Sequence, residues 1–234
     1  MKPIYEPKGA AKEYGDLALN IYTGCPHRCF YCFAPQVLHR DREAFHSNVQ
    51  PREGIIEATR RQLEKEQITG KLIHLCFTCD PYPTACDSTP TREIIKLLKK
   101  FGNHVQILTK GSGFRDFDLL DKEDWYGVTI SCDNSSEVEP WAEPTLKRLI
   151  DVRSAFLSDI KTWVSFEPVL NADDVLEILR YWHVFFNKVK IGKLNYHKSD
   201  IDWKRFGYEA EALCQKLGMN YYIKDSLRAE MERI

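Results

Sequence analysis

Short apolar runs and longer amphipathic stretches alternate along the whole chain. Residues 17–22 (LALNIY), 71–77 (KLIHLCF), 104–108 (HVQIL), 127–131 (GVTIS), 162–166 (TWVSF), 188–191 (KVKI) and 219–223 (MNYYI) are rich in β-branched and aromatic side chains. Each is strand-length. Between them the apolar positions recur at helical spacing. Ile55, Ile56, Thr59 and Leu63 share a face within residues 52–67, and Ile94, Ile95, Leu98 and Phe101 follow the helix-start pair Thr89-Pro90. Leu146, Leu149, Ile150, Arg153 and Leu157 mark a further stripe. Val175, Leu179, Trp182 and Phe186 mark the next, and a last helix spans residues 202–217. Strands separated by helices are the signature of parallel βα units. Six or seven of them predict an α/β fold, a partial (β/α)6–7 barrel with its reactive groups on loops at the C-terminal strand ends. A doubly wound open sheet is the alternative.

At 234 residues and 43% hydrophobic, the chain is sized for one core, and residues 1–234 are expected to form a single domain. The net charge of −1 argues against non-specific nucleic-acid binding. Residues 1–16 contain no apolar run, and nowhere does an apolar stretch reach the ~18 residues of a membrane span. The expectation is a cytoplasmic protein with no membrane contact. In that compartment eight cysteines point to metal or redox chemistry, or to buried thiols, rather than to disulfides.

Their spacing is informative. Directly after the first strand the chain reads Asn20-Ile-Tyr-Thr-Gly-Cys25-Pro-His-Arg-Cys29-Phe-Tyr-Cys32-Phe-Ala34. Three thiolates within eight residues, in a loop opened by Gly24, can wrap one face of a metal centre. A cubane has four irons, so Cys25, Cys29 and Cys32 leave one iron for a small-molecule ligand. The competing accounts are a structural zinc site completed by His27 or His39, and simple burial of one or two thiols.

The spacing Cys-x3-Cys-x2-Cys, with Tyr31 before the last cysteine, resembles the radical S-adenosylmethionine (SAM) superfamily. Within it, the string N-x-Y-x-G-C-x-H-x-C-x-Y-C-F-A resembles the spore photoproduct lyase-like branch. The resemblance is dense over residues 20–34 and continues as strand-end signatures towards Asp225. It implies a partial (β/α) barrel, a [4Fe-4S] cluster on the three cysteines, and SAM chelated at the open iron. Cleavage of SAM by an electron from the cluster would yield a 5′-deoxyadenosyl radical that takes hydrogen from a substrate. A reducing partner such as flavodoxin or ferredoxin is implied with it.

On the same resemblance, Thr78, Cys79 or Asp80 after the second strand would face the SAM amino group, and Lys110 its carboxylate. Ser131 matches a further SAM contact, and Tyr31 and Phe33 lie where the adenine would rest. Read as residues, Asp80 before Pro81 is also a turn starter, Lys110 an ordinary loop lysine and Ser131 a helix cap. Glu167, Lys193 and Lys224 each close an apolar strand, where an unpaired charge is costly. They are expected to line the pocket, towards substrate or the SAM ribose, or to pair at the rim. Cys79 and Cys132 are candidates for the hydrogen-donor role that the lyase gives to a cysteine. Cys76, Cys79 and Cys86 together suggest a second cluster, although Cys76 sits inside an apolar strand, and Cys214 reads as a core thiol.

The chain departs from the lyase in that only residues 1–24 precede the first cysteine. Dimer repair in DNA is therefore disfavoured, while a nucleobase, nucleoside or nucleic acid stays open as substrate, with Lys188, Lys190, Lys193, Lys198, Lys204 and Arg205 around Tyr196 and Trp203. A peptide or amino acid is the rival substrate. Outside the enzyme class, the alternatives are a zinc-stabilised binding module and an iron–sulfur electron carrier.

Overall fold

The computed structural model describes residues 2–233 and arranges its strands in one sheet, in strict chain order. β1 (Ile4–Tyr5) pairs antiparallel with β2 (Leu17–Leu19). After β2 come the short helices α1 (Ala34–Val37) and α2 (Arg42–Ser47), then α3 (Ile55–Glu66) and β3 (Leu72–Leu75). The pattern continues through α4 (Thr89–Lys100), β4 (His104–Thr109), β5 (Trp125–Thr129), α5 (Thr145–Leu157) and β6 (Lys161–Phe166). It ends with α6 (Ala172–Trp182), β7 (Lys188–Ile191), α7 (Trp203–Lys216), β8 (Tyr221–Ile223) and α8 (Asp225–Met231). Strands β2 to β8 are all parallel. Among the described residues β8 bonds only to β7, so the seven parallel strands form a partial barrel, as the βα alternation predicts. All seven expected strands are present. β1, α1, α2 and α8 are too short to announce themselves by periodicity.

The barrel interior is filled from two directions. Trp163 on β6 lies across Gly127 on β5, where any Cβ would overlap the indole, and its Nε1–H donates to the Ile107 carbonyl at 2.9 Å. The segment before β2 enters from the open side. The Tyr14 ring packs 5.7 Å from those of His74 and Phe77 and 5.9 Å from that of Trp163, and Gln106 donates to its carbonyl at 2.8 Å. Glu13 pairs with Lys224 at 2.9 Å. These contacts tie the N-terminal segment to the end of β8, which with β1 forms the two edges of the sheet.

The outer helices pack much as their stripes predict. α4 buries Ile94, Ile95 and Leu98, each stabilising by roughly 1.5–3 kcal/mol. α3 buries Ile55, Thr59 and Leu63, with Gln62 in place of the expected Ile56, because the Gln62 side chain bonds both backbone groups of Ile4. α5 differs more. Leu149 of its predicted stripe is buried, but Leu146, Ile150, Arg153 and Leu157 are exposed, and Arg148, Asp151, Val152 and Ala155 are buried instead. Polar loop partners, described below for Arg148, and the Ser112 hydroxyl at 2.6 Å from Asp151 draw these two residues inward. The helix is rotated from the face its apolar residues suggest. Among the described residues no helix is long and apolar enough to cross a membrane.

Candidate functional site

A cavity of about 720 Å³ opens among the C-terminal strand ends, within the ~300–1,000 Å³ range of small-molecule sites. Cys25, Cys29 and Cys32 all line it. The loop that carries them is held almost atom by atom. A Cβ on Gly24 would overlap the Phe45 carbonyl, so only glycine lets the loop lie against α2. From α2, the Arg42 guanidinium donates to the carbonyls of Cys29 (2.5 Å), Phe30 (2.8 Å) and Cys32 (3.2 Å). The His46 Nδ1–H donates to that of Cys25 at 2.7 Å. The Cys32 N–H reaches the Cys29 carbonyl at 3.1 Å, closing the turn between the last two cysteines.

The same string explains itself outside the cysteines. Asn20 Oδ1 accepts from the N–H groups of Phe77 (2.8 Å) and Thr78 (2.9 Å), latching the end of β3 beside β2. The Tyr22 hydroxyl lies 3.1 Å from that of Thr91 at the start of α4. His27 is buried, with Nε2 accepting from the Thr84 N–H (3.2 Å) and Nδ1 3.5 Å from Asp80 Oδ2. Burial lowers its pKa, Asp80 opposing, so it stays neutral. With both ring nitrogens engaged, His27 is not the fourth ligand of a zinc knot, and His39 is exposed and outside the cavity wall.

The donor set fits a multi-iron cluster. Three thiols from one short loop in a cavity wall match the three protein ligands that leave one iron of a cubane open. Burial raises all three thiols, Cys29 to about 12 with Lys110 opposing, so they stay protonated until a cation displaces the protons.

Lys110 lies half-buried just after β4, its Nζ 5.4 Å from the centre of the Tyr31 ring. Among the described residues this ammonium donates no hydrogen bond. Burial would lower it, but Cys29 and Glu139 outweigh that and raise its pKa, so it is a cation facing the cavity. The Thr78 hydroxyl, also in the wall, is buried without a partner. Asp80 is different. One carboxylate oxygen accepts from the Thr109 hydroxyl and from the Tyr82 N–H (2.8 Å), the other from the Lys110 N–H (2.8 Å). It lines the cavity but works as the post that holds Lys110, the turn role read from its sequence, with both oxygens bonded within the protein.

Behind the loop stands a buried ion pair that no sequence pattern disclosed. Arg148 and Glu139, 0% and 1% exposed, face each other. Glu139 also accepts from the Tyr31 hydroxyl and from Ser131 Oγ at 3.0 Å. Arg148 donates to the carbonyls of Glu143 (2.7 Å) and Thr129 (2.8 Å) and to Ser135 Oγ (3.2 Å). Burial would raise the Glu139 carboxyl, but Lys110 and Arg148 outweigh it and hold it below the usual range. Backbone bonds from Phe30 to Val138 (3.1 Å) and from Trp141 to His27 (3.3 Å) complete this buttress. Ser131 therefore spends its hydroxyl on Glu139 and lies outside the cavity wall. Cys132 is also outside it, buried with Sγ 3.3 Å from the Asn134 carbonyl.

Of the other predicted residues, Tyr31, Phe33, Cys79, Glu167 and Lys193 all line the cavity. Glu167 Oε2 accepts from the Tyr14 hydroxyl (2.5 Å) and from Lys224 (2.6 Å). Lys193 pairs with Glu230 on α8. Pairing at the rim, one of the two expectations for these charges, is what the geometry places there, and Glu13 and Tyr14 are partners that a segment without periodicity gave no means to foresee. Cys86 lies outside the cavity wall while Cys76 and Cys79 line it, and Cys214 is fully buried on α7.

No family model and no curated protein matches the chain. Among solved structures, Streptococcus suis SuiB bound to S-adenosylmethionine superposes with a TM-score of 0.65 at 11% identity, covering 95% of this chain and 55% of SuiB. SuiB bound to its precursor peptide SuiA gives 0.64 at 11%, covering 92% and 50%. The chain thus spans about half the length of these proteins. What they share with it is the fold, an α/β partial barrel of the radical SAM type.

Proposed function

We propose that this chain is a radical SAM enzyme of the spore photoproduct lyase-like branch, with a [4Fe-4S] cluster on Cys25, Cys29 and Cys32. The observation that carries the reading is one cavity lined by three thiols, a half-buried ammonium (Lys110) that donates no hydrogen bond among the described residues, and a buried unpartnered hydroxyl (Thr78). The SAM-bound SuiB structure of the same fold supports it. Bound there, the cluster and SAM would supply one-electron reductive cleavage and abstraction of hydrogen from a substrate.

The protein's own part is positional. Arg42 and His46 hold the cysteine carbonyls outward, so the sulfurs face the cavity. Lys110, carried by Asp80, would hold the SAM carboxylate, and Thr78 its amino group. Phe33 and the Tyr31 ring supply an apolar bed for the adenine. The paired wall of Glu167, Lys224 and Tyr14 closes the interior side against water. The substrate then enters over the rim near Asn195 and Tyr196. A nucleobase-containing molecule and a peptide are both compatible with that rim.

Anaerobic reconstitution tests the reading. The expected product is a brown protein with about four irons per chain, absorbing at ~400 nm, that forms 5′-deoxyadenosine from SAM and dithionite. Cys29→Ala loses the iron and Cys214→Ala keeps it. A colourless protein with one tightly held zinc, or equal iron loss in both variants, overturns it.

A further inference from the structure

β3 runs into Cys76-Phe77-Thr78-Cys79, two cysteines with two residues between them at a strand end in a βα unit. This is the spacing of dithiol redox motifs. The chain bends through residues 77–79, and Asn20 holds the bend by accepting from the Phe77 and Thr78 N–H groups. The bend brings Cys79 back towards the end of the strand, close enough to Cys76 for each thiol to shift the titration of the other. Both line the cavity. Cys76 is buried and Cys79 partly accessible, and the Tyr22 N–H points at the Cys79 sulfur from 3.4 Å.

The two are electrostatically unequal. Burial drives the Cys76 thiol well up. Burial pushes Cys79 the same way, but the neighbouring Cys76 thiol and the backbone at Tyr22 and Ile21 prevail and lower it. An accessible, acidified outer sulfur over a buried, protonated inner one is the arrangement of a nucleophilic and a resolving thiol.

We propose that Cys76 and Cys79 form a dithiol–disulfide couple in the cavity wall, exchanging with small thiols and disulfides of the glutathione class. The Cys79 thiolate attacks one sulfur of the small disulfide, forms a mixed disulfide and releases one thiolate. Cys76 then gives up its proton and attacks the Cys79 sulfur. This closes the internal disulfide and expels the second small thiol, which carries the proton away. Two electrons pass from the pair to the small disulfide, and excess small thiol reverses the sequence. The couple deepens the proposed function by placing two reducing equivalents in the same cavity as the cluster cysteines. Its existence does not depend on that function.

The test titrates full-length protein, prepared without oxygen, against increasing ratios of oxidised to reduced glutathione, followed by alkylation and peptide mass mapping. Wild type is expected to lose about 2 Da from the peptide spanning residues 72–92, with Cys86 still alkylated. The same loss is expected in a chain with Ser at positions 25, 29 and 32. Cys76→Ser should stop at a glutathione adduct on Cys79, and Cys79→Ser should give neither adduct nor disulfide. The proposal is overturned if both thiols of wild type survive at the highest ratio, if Cys86 is the disulfide partner, or if the Cys79 adduct persists unresolved in wild type. Wild-type mapping decides even if a variant fails to fold. Failure to form 5′-deoxyadenosine leaves this readout unaffected.

Discussion

Arg148→Met is the sharpest test of how the cluster loop is supported. The substitution keeps most of the side-chain volume and removes every donor. Glu139, 1% exposed, would then hold a carboxylate whose remaining partners are the hydroxyls of Tyr31 and Ser131. Breaking a buried pair by removing one partner costs about 3–5 kcal/mol where the other charge is left uncompensated; Lys110, which also holds the Glu139 carboxyl down, sets the expectation towards the lower end. For a chain of this length ~1 kcal/mol moves the melting temperature by about 2–4 °C, so a fall of roughly 6–20 °C is expected.

The double variant Arg148→Met/Glu139→Gln distinguishes the pair from simple loss of packing. The introduced amide keeps an acceptor for Tyr31 without a charge to desolvate, so the double variant should recover about 2 kcal/mol or more of the single loss. The assay is urea unfolding followed by circular dichroism on all four members of the cycle, with iron content after reconstitution as the functional readout. Glu139 lies beyond Tyr31 from the cysteines, so iron retention should track stability across the cycle. A single variant within about 1 kcal/mol of wild type, or a double variant no better than the single, would show that the buttress does not carry the loop.

Other expectations follow from individual residues. Lys110→Met should keep its iron and bind SAM about 10–150-fold more weakly in calorimetry, the loss of a charge-assisted hydrogen bond worth ~1.5–3 kcal/mol; unchanged affinity removes Lys110 from the SAM site. Burial, helped by Lys190, lowers His74 to about 3, so the unfolded chain takes up this proton near pH 6.5 while the folded one does not. Stability should therefore fall as pH drops below about 6.5, by up to ~1.4 kcal/mol per unit from this residue, and urea midpoints of His74→Gln between pH 5 and 6.5 should show a shallower slope than wild type. Equal slopes refute the assignment. Gly127→Ala drives a Cβ into the Trp163 indole and should cost about 1–3 kcal/mol in urea unfolding, partly relieved by Trp163→Phe.

The parts of this molecule that were legible in its sequence are those whose causes are local. A strand of β-branched residues announces itself within five or six positions, and so the parallel order of β2 to β8 follows from the alternation. Three cysteines within eight residues must lie together whatever the rest of the chain does. What was not legible depends on partners far apart in the chain. Glu139 reads as an ordinary loop carboxylate until Arg148 and Tyr31 are brought to it. Arg148 itself hides in a helix whose apolar residues mark another face. Asp80 is the instructive intermediate. Its importance can be read from its place after the second strand, but not its task, because both of its oxygens are spent on Thr109, Tyr82 and the backbone of Lys110. A carboxylate so fully satisfied has little left for a ligand, whereas the ammonium it carries faces the Tyr31 ring and donates no hydrogen bond among the described residues. In this cavity the groups that make no hydrogen bond among the described residues, the Lys110 ammonium beside the Tyr31 ring and the buried Thr78 hydroxyl, are the better guide to where a polar cofactor would lie than the groups with the most contacts.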